Sequence, residues 1–352
     1  MRLLVVNAGS SSLKLRVLGA ADETVAERDL EWPPHAPFPP DALAGLPRAD
    51  AVAHRVVHGG DTFREATWID EDVRVRLEGL TDLAPLHQPR ALAAIDAVAR
   101  ELPGVRAAAC FDTAFHATLP TAAATYAVPP AWGVRRFGFH GLSHAYAARR
   151  ASELVDRAVD ELRIVSCHLG AGASLTAIAG GRSVETTMGF TPLEGIVMAT
   201  RSGSVDPGVL LFMIERRGLR PDRLGDALEH RSGLTALAGT GDTRELLARD
   251  DDAARLALDV YLHRLRAGIA AMAAALDGID VLAFTGGVGE HAAPIRAGAQ
   301  LAFLGVAIDG ERNAAISGDG EITAEGSAVR TVVVTAREDL EIARQVRALV
   351  AG

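Results

Sequence analysis

The sequence predicts an α/β protein built from two related domains, and three observations carry that expectation. At roughly 150 residues per domain, a chain of 352 residues favours two domains, with one large domain as the alternative. The run R-L-L-V-V-N-A-G-S-S-S-L-K-L-R-V-L (2–18) has a counterpart in R-I-V-S-C-H-L-G-A-G-A-S-L-T-A-I (163–178). In each, an apolar run ends on a polar residue (Asn7 or His168), enters a small-residue turn and resumes as an alternating strand. Strand patterns then alternate with helical ones along the chain, the mark of α/β layers. Two unrelated hairpins would fit the second observation as well, because two copies alone are a weak repeat.

The elements follow in order. After the second hairpin, Gly180-Gly181 turns into a further strand, Arg182–Thr187, completing a meander. The stretch E-W-P-P-H-A-P-F-P-P (31–40) reads as a Pro-rich surface loop. Ala91, Ala94, Ile95 and Val98 have helical spacing, predicting a helix over Pro89–Glu101. A short buried strand, Val105–Phe111, ends at Asp112, and Leu142–Asp160 reads as a helix able to bridge the domains. The Ala/Leu-rich Asp252–Leu276 is a long helix leading into strand Val281–Phe284 and the turn T-G-G-V-G-E. A strand at Val332–Val334 and a terminal helix over Glu338–Val350 close the chain, the helix able to pack back on the first domain.

Composition narrows the function. Hydrophobic residues make up 49% and charged residues 23%, as in ordinary globular proteins. A net charge of −9 argues against a surface footprint for nucleic acid, while leaving room for a local cationic pocket. The longest apolar run, Ile269–Leu276, falls far short of the ~20 residues that span a bilayer, and Leu3–Val6 is too short for a signal-peptide core. Cys110 and Cys167 lie in apolar stretches and form no disulfide framework, so a cytoplasmic protein is expected. Lys14 is the only lysine, and it stands beside the first Gly/Ser turn. Its compact ammonium is not interchangeable with a guanidinium fork, which favours a functional role over chance.

Three Gly-rich turns, N-A-G-S-S-S, H-L-G-A-G-A-S and T-G-G-V-G-E, each follow an apolar strand. Glycines there let backbone N–H groups approach a phosphate closely, and three such turns together point to a nucleotide cradle. None has the G-x-x-x-x-G-K-[ST] form, which excludes a Walker-type loop. Seven of the eleven histidines lie between His54 and His168, in H-R-V-V-H-G-G, A-P-L-H-Q-P and F-G-F-H-G-L-S-H among others. Without H-E-x-x-H or paired cysteines, a His-ligated zinc site is disfavoured, and His54, His58 and His144 are as readily structural hydrogen bonders. In F-D-T-A-F-H, Asp112 stands at the carboxyl end of a buried strand, the edge where open α/β sheets bind ligands; a helix N-cap is the alternative. In M-A-T-R-S-G-S-V-D-P-G, Arg201 suits charge neutralisation on a transferring phosphoryl group, with a surface ion pair as its rival.

Taken together, N-A-G-S-S-S-L-K, H-R-V-V-H-G-G, A-P-L-H, F-D-T-A-F-H, R-F-G-F-H-G-L-S-H, M-G-F-T-P-L-E-G, T-R-S-G and F-T-G-G-V-G-E resemble the acetate kinases and their short-chain acyl kinase relatives. The matches run in order over nearly the whole chain. The resemblance implies two duplicated actin-like domains, of the sugar kinase/Hsp70/actin type, around an ATP cleft. It puts the acyl-substrate domain at 1–147 plus 337–352 and the nucleotide domain at 148–336. It implies reversible transfer between ATP and acetate, giving acetyl phosphate and ADP, with Mg²⁺ or Mn²⁺ and in a homodimer. By motif, Asn7 and Glu338 would place the metal, with Asp339 as fallback, while Ser12 and Lys14 would support phosphates. Arg55 would hold the carboxylate; His140 and Arg201 would stabilise the phosphoryl group; Asp112 would be the catalytic carboxylate. His168, Leu169, Gly170, Ala171 and Gly172, then Asp242, Thr243 and Arg244, then Gly287, Val288, Gly289, Glu290 and His291 would line the nucleotide. Val57, Leu86, Phe139 and Pro192 would form the small apolar pocket for the methyl group.

The chain departs from the family pattern at Ala171, Ala199, Ser204, Thr243 and His291, and reads T-A-R-E-D-L at the C-terminal motif. These departures bear on nucleotide choice and rate more than on reaction class. A propionate or butyrate kinase of the same fold is the nearest rival, because one methylene is worth only ~1–3 kcal/mol of discrimination. A nucleotide-binding regulator without catalysis, or a sugar kinase, are further alternatives; the latter needs a base for a hydroxyl acceptor, whereas acetate is already an anion at neutral pH.

Overall fold

The computed structural model describes residues 1–9, 12–33 and 35–351. Ser10 and Ser11 of the N-A-G-S-S-S turn, Pro34 of the Pro-rich stretch and Gly352 lie outside the described residues. The chain divides into two compact units, one of residues 1–117, 140–142 and 337–352, the other of residues 118–139 and 143–336. Residues 118–139 and 143–147, expected in the first domain, thus group with the second unit.

The first unit is built on a six-stranded sheet: β1 Leu3–Ala8, β2 Ser12–Leu18, β3 Thr24–Glu31, β4 Ala51–Val56, β5 Thr67–Trp68 and β6 Arg106–Phe111. Its spatial order is β3-β2-β1-β4-β6-β5, with β1, β4 and β6 parallel and the other pairs antiparallel. The second unit carries β7 Arg163–Leu169, β8 Ala173–Ala179, β9 Arg182–Thr186, β10 Val281–Thr285, β11 Gly320–Glu321 and β12 Arg330–Val333. Read from its other edge, this sheet runs β9-β8-β7-β10-β12-β11, with the same parallel and antiparallel pairings position for position. Even the register shift between the second and third strands recurs, at Val17/Leu18 and at Ala177/Ile178. The two hairpins are therefore copies of one topology, and each unit is an actin-like domain.

Side-chain alternation sorts the first sheet into two faces. Leu3, Val5, Ala51, Ala53, Ala108 and Cys110 pack against Ile342, Ala343 and Val346 of the C-terminal helix Glu338–Ala351. Leu4, Val6, Leu13, Leu15, Val17 and Val52 pack against Ala94 and Val98 of the helix Gln88–Glu101, whose N-terminal Pro89 suits a first turn. Charged β3, at the sheet edge, has little buried surface. In the second unit the 24-residue helix Asp252–Ala275 buries Ala257, Tyr261, Leu265, Ile269 and Met272, and Asp251 caps its first turn by accepting from Ala254 N.

Three expectations need correction. The Pro-rich stretch is not wholly superficial: Trp32 is 1% exposed, with the Arg90 guanidinium 3.9 Å from its ring and Phe38 in a T-shaped contact at 5.6 Å. The helix expected over Leu142–Asp160 spans Gly141–Leu154 and ends ahead of Asp156, which adopts φ 52°. The T-G-G-V-G-E segment is not a simple turn, since Gly286–His291 begins a helix directly after β10. Among the described residues no helix is long and apolar enough to cross a membrane.

Candidate active site

In the first unit the parallel register gathers polar side chains at the carboxyl ends of β1, β4 and β6. Asn7 pairs with Lys14 on one side and Arg55 on the other, so all three project from one face. It is the face that also carries the C-terminal helix. Asp112, one residue past β6, continues the ladder by donating its N–H to the Val56 carbonyl. Its carboxylate is 2% exposed and receives Arg55 in a two-pronged contact, Nε to Oδ1 at 3.0 Å and Nη2 to Oδ2 at 2.5 Å. Arg55 Nη1 donates to Asn7 Oδ1 at 3.1 Å. Glu338, in the first turn of the C-terminal helix, brings Oε2 to 3.5 Å from Asn7 Nδ2 and 3.7 Å from Arg55 Nε. Burial works against the charge on Arg55, but the Asp112 and Glu338 carboxylates outweigh it and hold the guanidinium protonated above its ordinary range.

The neighbouring Asp339 turns elsewhere and pairs with Arg337 at 2.8 Å. Of the two acids, Glu338 is therefore the one beside Asn7. Lys14 is exposed, and Ser12 opens β2 while its carbonyl accepts from Gly9 N. His140 adopts φ 57°, and Gly141 N donates to the Asp112 carbonyl at 2.8 Å, so the F-G-F-H-G and F-D-T loops meet. A Cβ on Gly141 would lie 2.2 Å from that carbonyl oxygen, which only glycine tolerates. Thr113 Oγ1 accepts from Gly59 N, tying H-R-V-V-H-G-G to the same edge. Of the pocket residues in this unit, Val57 is buried and Leu86 is 53% exposed.

In the second unit Ala199 is the meeting point of the nucleotide segments. Its N–H donates to the Ala171 carbonyl, and its carbonyl accepts from both N and Oγ1 of Thr235. Gly241, just before Asp242, packs directly on Ala199, while Gly286 (φ 77°) approaches the Leu169 carbonyl too closely for any Cβ. The His168–Gly172 turn, the Arg201 loop, Asp242–Arg244 and Gly286–His291 are thereby brought together. Within this group Ser143 Oγ lies 2.7 Å from His168 Nδ1. Leu169 and Gly289 are buried, whereas Ala171, Gly287 and His291 are exposed and Gly170, Gly172 and Val288 half-buried. Asp242 caps the helix Thr243–Ala248 and pairs with an exposed Arg244 at 2.7 Å. Thr243 is buried at 6% exposure, so its side chain points inward from that turn. Glu290 accepts from Ala336 N, and Phe139 is buried while Pro192 is half-buried.

Several histidines prove structural. His144 is fully buried between Ser166 and Ser174, and burial drives His54 down to about 3 and His58 to about 4. Sequence reading missed several supporting residues. Buried Arg90 donates to the carbonyls of Gly9, Trp32 and Pro33, clamping the first turn. Arg296 does the same for the carbonyls of Gly289 and Glu290. Tyr126 and Arg136 both hold Glu194 in M-G-F-T-P-L-E-G. An arginine placed within a helix whose neighbours are apolar, as in P-R-A-L-A-A-I, was the available signal for Arg90.

Comparison with known proteins adds to this geometry. The model of the acetokinase family matches residues 44–344. An acetate kinase of Gloeobacter violaceus is 49% identical over 313 residues, covering 86% of this chain and 77% of that protein. The crystal structure of Porphyromonas gingivalis acetate kinase superposes with a TM-score of 0.91 at 33% identity, over 99% of both chains. A propionate kinase from Francisella tularensis gives a TM-score of 0.89 at 31% identity, over 98% of both. With the repeated sheets, the ordered motifs and these matches all in agreement, the chain belongs to the acetokinase family of ATP-using phosphotransferases that act on a carboxyl group.

Proposed function

We propose that this enzyme transfers the γ-phosphoryl group of ATP to acetate, forming acetyl phosphate and ADP, and runs the reverse reaction at the same site. A carboxylate oxygen bonds to the γ-phosphorus as the bond to the β,γ-bridging oxygen breaks, and ADP leaves. The observation that carries this reading is the two-pronged Arg55–Asp112 contact. Asp112 has both oxygens committed to a guanidinium, so it serves as a positioner and leaves the acceptor to supply its own negative charge. Acetate does so at neutral pH, its pKa being ~4–5 like those of side-chain carboxyls; a sugar hydroxyl would need a base.

In this reading Arg55 holds the acceptor carboxylate, and Arg201 and His140 stabilise the phosphoryl group in transit. The first unit serves the acyl substrate and the second the nucleotide, through the His168–Gly172, Asp242–Arg244 and Gly287–His291 segments. Ser12 and Lys14 support phosphates. In the first unit Val57 and Leu86 receive the methyl group. Asn7 and Glu338 offer oxygen donors only, a set suited to Mg²⁺ or Mn²⁺, which takes one or two carboxylates beside substrate phosphates and water. When bound, the ion would offset the phosphate charge. The helix Pro207–Glu215 supports a homodimer: it is strongly apolar, yet Val209, Leu211 and Phe212 are exposed, and a second copy of the chain would cover them. Two buried free thiols fit a cytoplasmic enzyme.

The test is acetate-dependent ADP release, with acetyl phosphate trapped by hydroxylamine, on the wild type and Arg201→Ala. The reading expects hydroxamate from the wild type and a loss of at least ~100-fold in the variant. ATP binding without hydroxamate from any short acid would favour a regulator instead. Because a propionate kinase shares the fold at 31% identity, kcat/KM for acetate, propionate and butyrate is measured side by side, with acetate expected to lead.

A further inference from the structure

The Arg201 side chain has a partner that no sequence motif indicated. Its Nε lies 3.3 Å from Oε2 of Glu229, while Nη1 donates to the Pro192 carbonyl at 3.3 Å. Glu229 stands at the end of the helix Pro221–His230. That helix end is laced to the arginine loop through the main chain. Thr200 Oγ1 donates to the Glu229 carbonyl at 2.8 Å, Ser202 N to the Leu228 carbonyl at 3.2 Å, and Ser232 N to the Thr200 carbonyl at 2.9 Å. The first two bonds take up carbonyls that a helix end leaves without intrahelical partners. They also deliver the carboxylate to the guanidinium whatever the rest of residue 229 does, so substitutions there probe the carboxylate and not the loop.

A carboxylate beside an arginine that handles phosphate looks counterproductive, since it repels the incoming anion. It makes sense as an orienting group. A guanidinium has five donors in a rigid plane. Glu229 pairs with the Nε side, and Nη1 donates to the Pro192 carbonyl and to Met198 Sδ at 3.7 Å, which fixes that plane and leaves the Nη2 protons for a ligand. Both side chains remain about a quarter exposed, so the pair is reachable by substrate.

We propose that Glu229 is a positioning residue for the reaction: by pairing its carboxylate with the Nε side of Arg201 it holds the guanidinium in the orientation that meets the transferring phosphoryl group. The proposal rests on the role assigned to Arg201 above. Its test is a double-mutant cycle on the full chain, with Glu229→Ala, Glu229→Gln, Arg201→Ala and the Glu229→Ala/Arg201→Ala pair. Thermal midpoints check folding, and ADP release gives kcat and KM for ATP and acetate. Glu229→Ala is expected to lower kcat about tenfold with KM for ATP within about twofold, as for a misoriented catalytic group. Glu229→Gln keeps an acceptor oxygen and should recover most of that loss. In the Arg201→Ala background, Glu229→Ala should change nothing further. Wild-type kcat in Glu229→Ala, an undiminished loss in the Arg201→Ala background, a Gln variant as impaired as the Ala one, or faster turnover in both variants would each overturn the proposal. Full activity in Arg201→Ala would instead remove the reading of Arg201 on which it stands.

Discussion

Replacing Asp112 by Asn separates a positioning carboxylate from a proton acceptor, because the amide keeps the shape and loses the charge. In the wild type both carboxylate oxygens accept from Arg55, at 3.0 and 2.5 Å. In the variant one of them becomes an amide NH₂ that meets a guanidinium N–H, donor against donor. Breaking one partner of a buried ion pair costs about 3–5 kcal/mol. Arg55 retains Asn7 at 3.1 Å and Glu338 at 3.7 Å and is 16% exposed, which reduces the loss. A destabilisation of about 2–3 kcal/mol then follows, or a fall in Tm of roughly 3–4 °C for a chain of this size. Turnover should fall further, by about 100-fold, because Arg55 is left without the group that aims it. The shape of the pH–rate profile between pH 6 and 8 should not change, since no proton is taken from acetate. Thermal melts and ADP release across that range measure both effects. Wild-type turnover would remove Asp112 from either role, and loss of an ionisation from the profile would restore it as a base.

Two further predictions concern the scaffold. Gly141→Ala would put a Cβ 2.2 Å from the Asp112 carbonyl oxygen and 2.8 Å from Phe115 Cβ, so the two loops must part. It should cost about 1–3 kcal/mol in urea unfolding and reduce kcat, whereas Gly225→Ala, with nothing within 4 Å, should gain about 0.5–1 kcal/mol; equal stabilities would sink the argument. Burial lowers His54 from 6.5 to about 3, so below pH 6.5 the unfolded chain binds a proton that the folded one refuses. Stability should therefore drain as pH falls from 6.5 towards 3, by about 3 kcal/mol at pH 4.5 from this residue alone. The stability advantage of the wild type over His54→Asn should shrink by that amount between pH 7 and 4.5, and parallel urea curves at both pH values would contradict it.

What the sequence made legible was local. The paired hairpins and the long helix over Asp252–Ala275 are written in short-range periodicity, and so is the sheet edge that carries Asp112. The hidden parts depend on partners far apart in the chain. Nothing near Trp32 announces that Arg90 will cover its ring and take its carbonyl, and a Pro-rich neighbourhood argues the other way. Polar β3 escaped notice because an edge strand needs few apolar residues. Glu338 and Asp339 are adjacent acids that composition cannot separate. A helix turns about 100° per residue, which takes one to Asn7 and the other to Arg337.

The decisive long-range fact is register. Val5 pairs with Ala53 and Asn7 with Arg55, so the apolar face beneath the C-terminal helix continues directly into the polar row at its end. A slip of one residue between β1 and β4 would turn Arg55 towards the helix Gln88–Glu101, away from Asn7 and Asp112, and would put His54 in its place. Burying a guanidinium among Leu4, Val6, Ala94 and Val98 costs far more than any contact so gained, because the nearby Asp96 carboxylate is already paired with Arg74. The core that fixes the sheet thus also fixes which side chains share the active edge, and the same apolar alternation that identifies the strands selects Arg55 and Asp112 as partners.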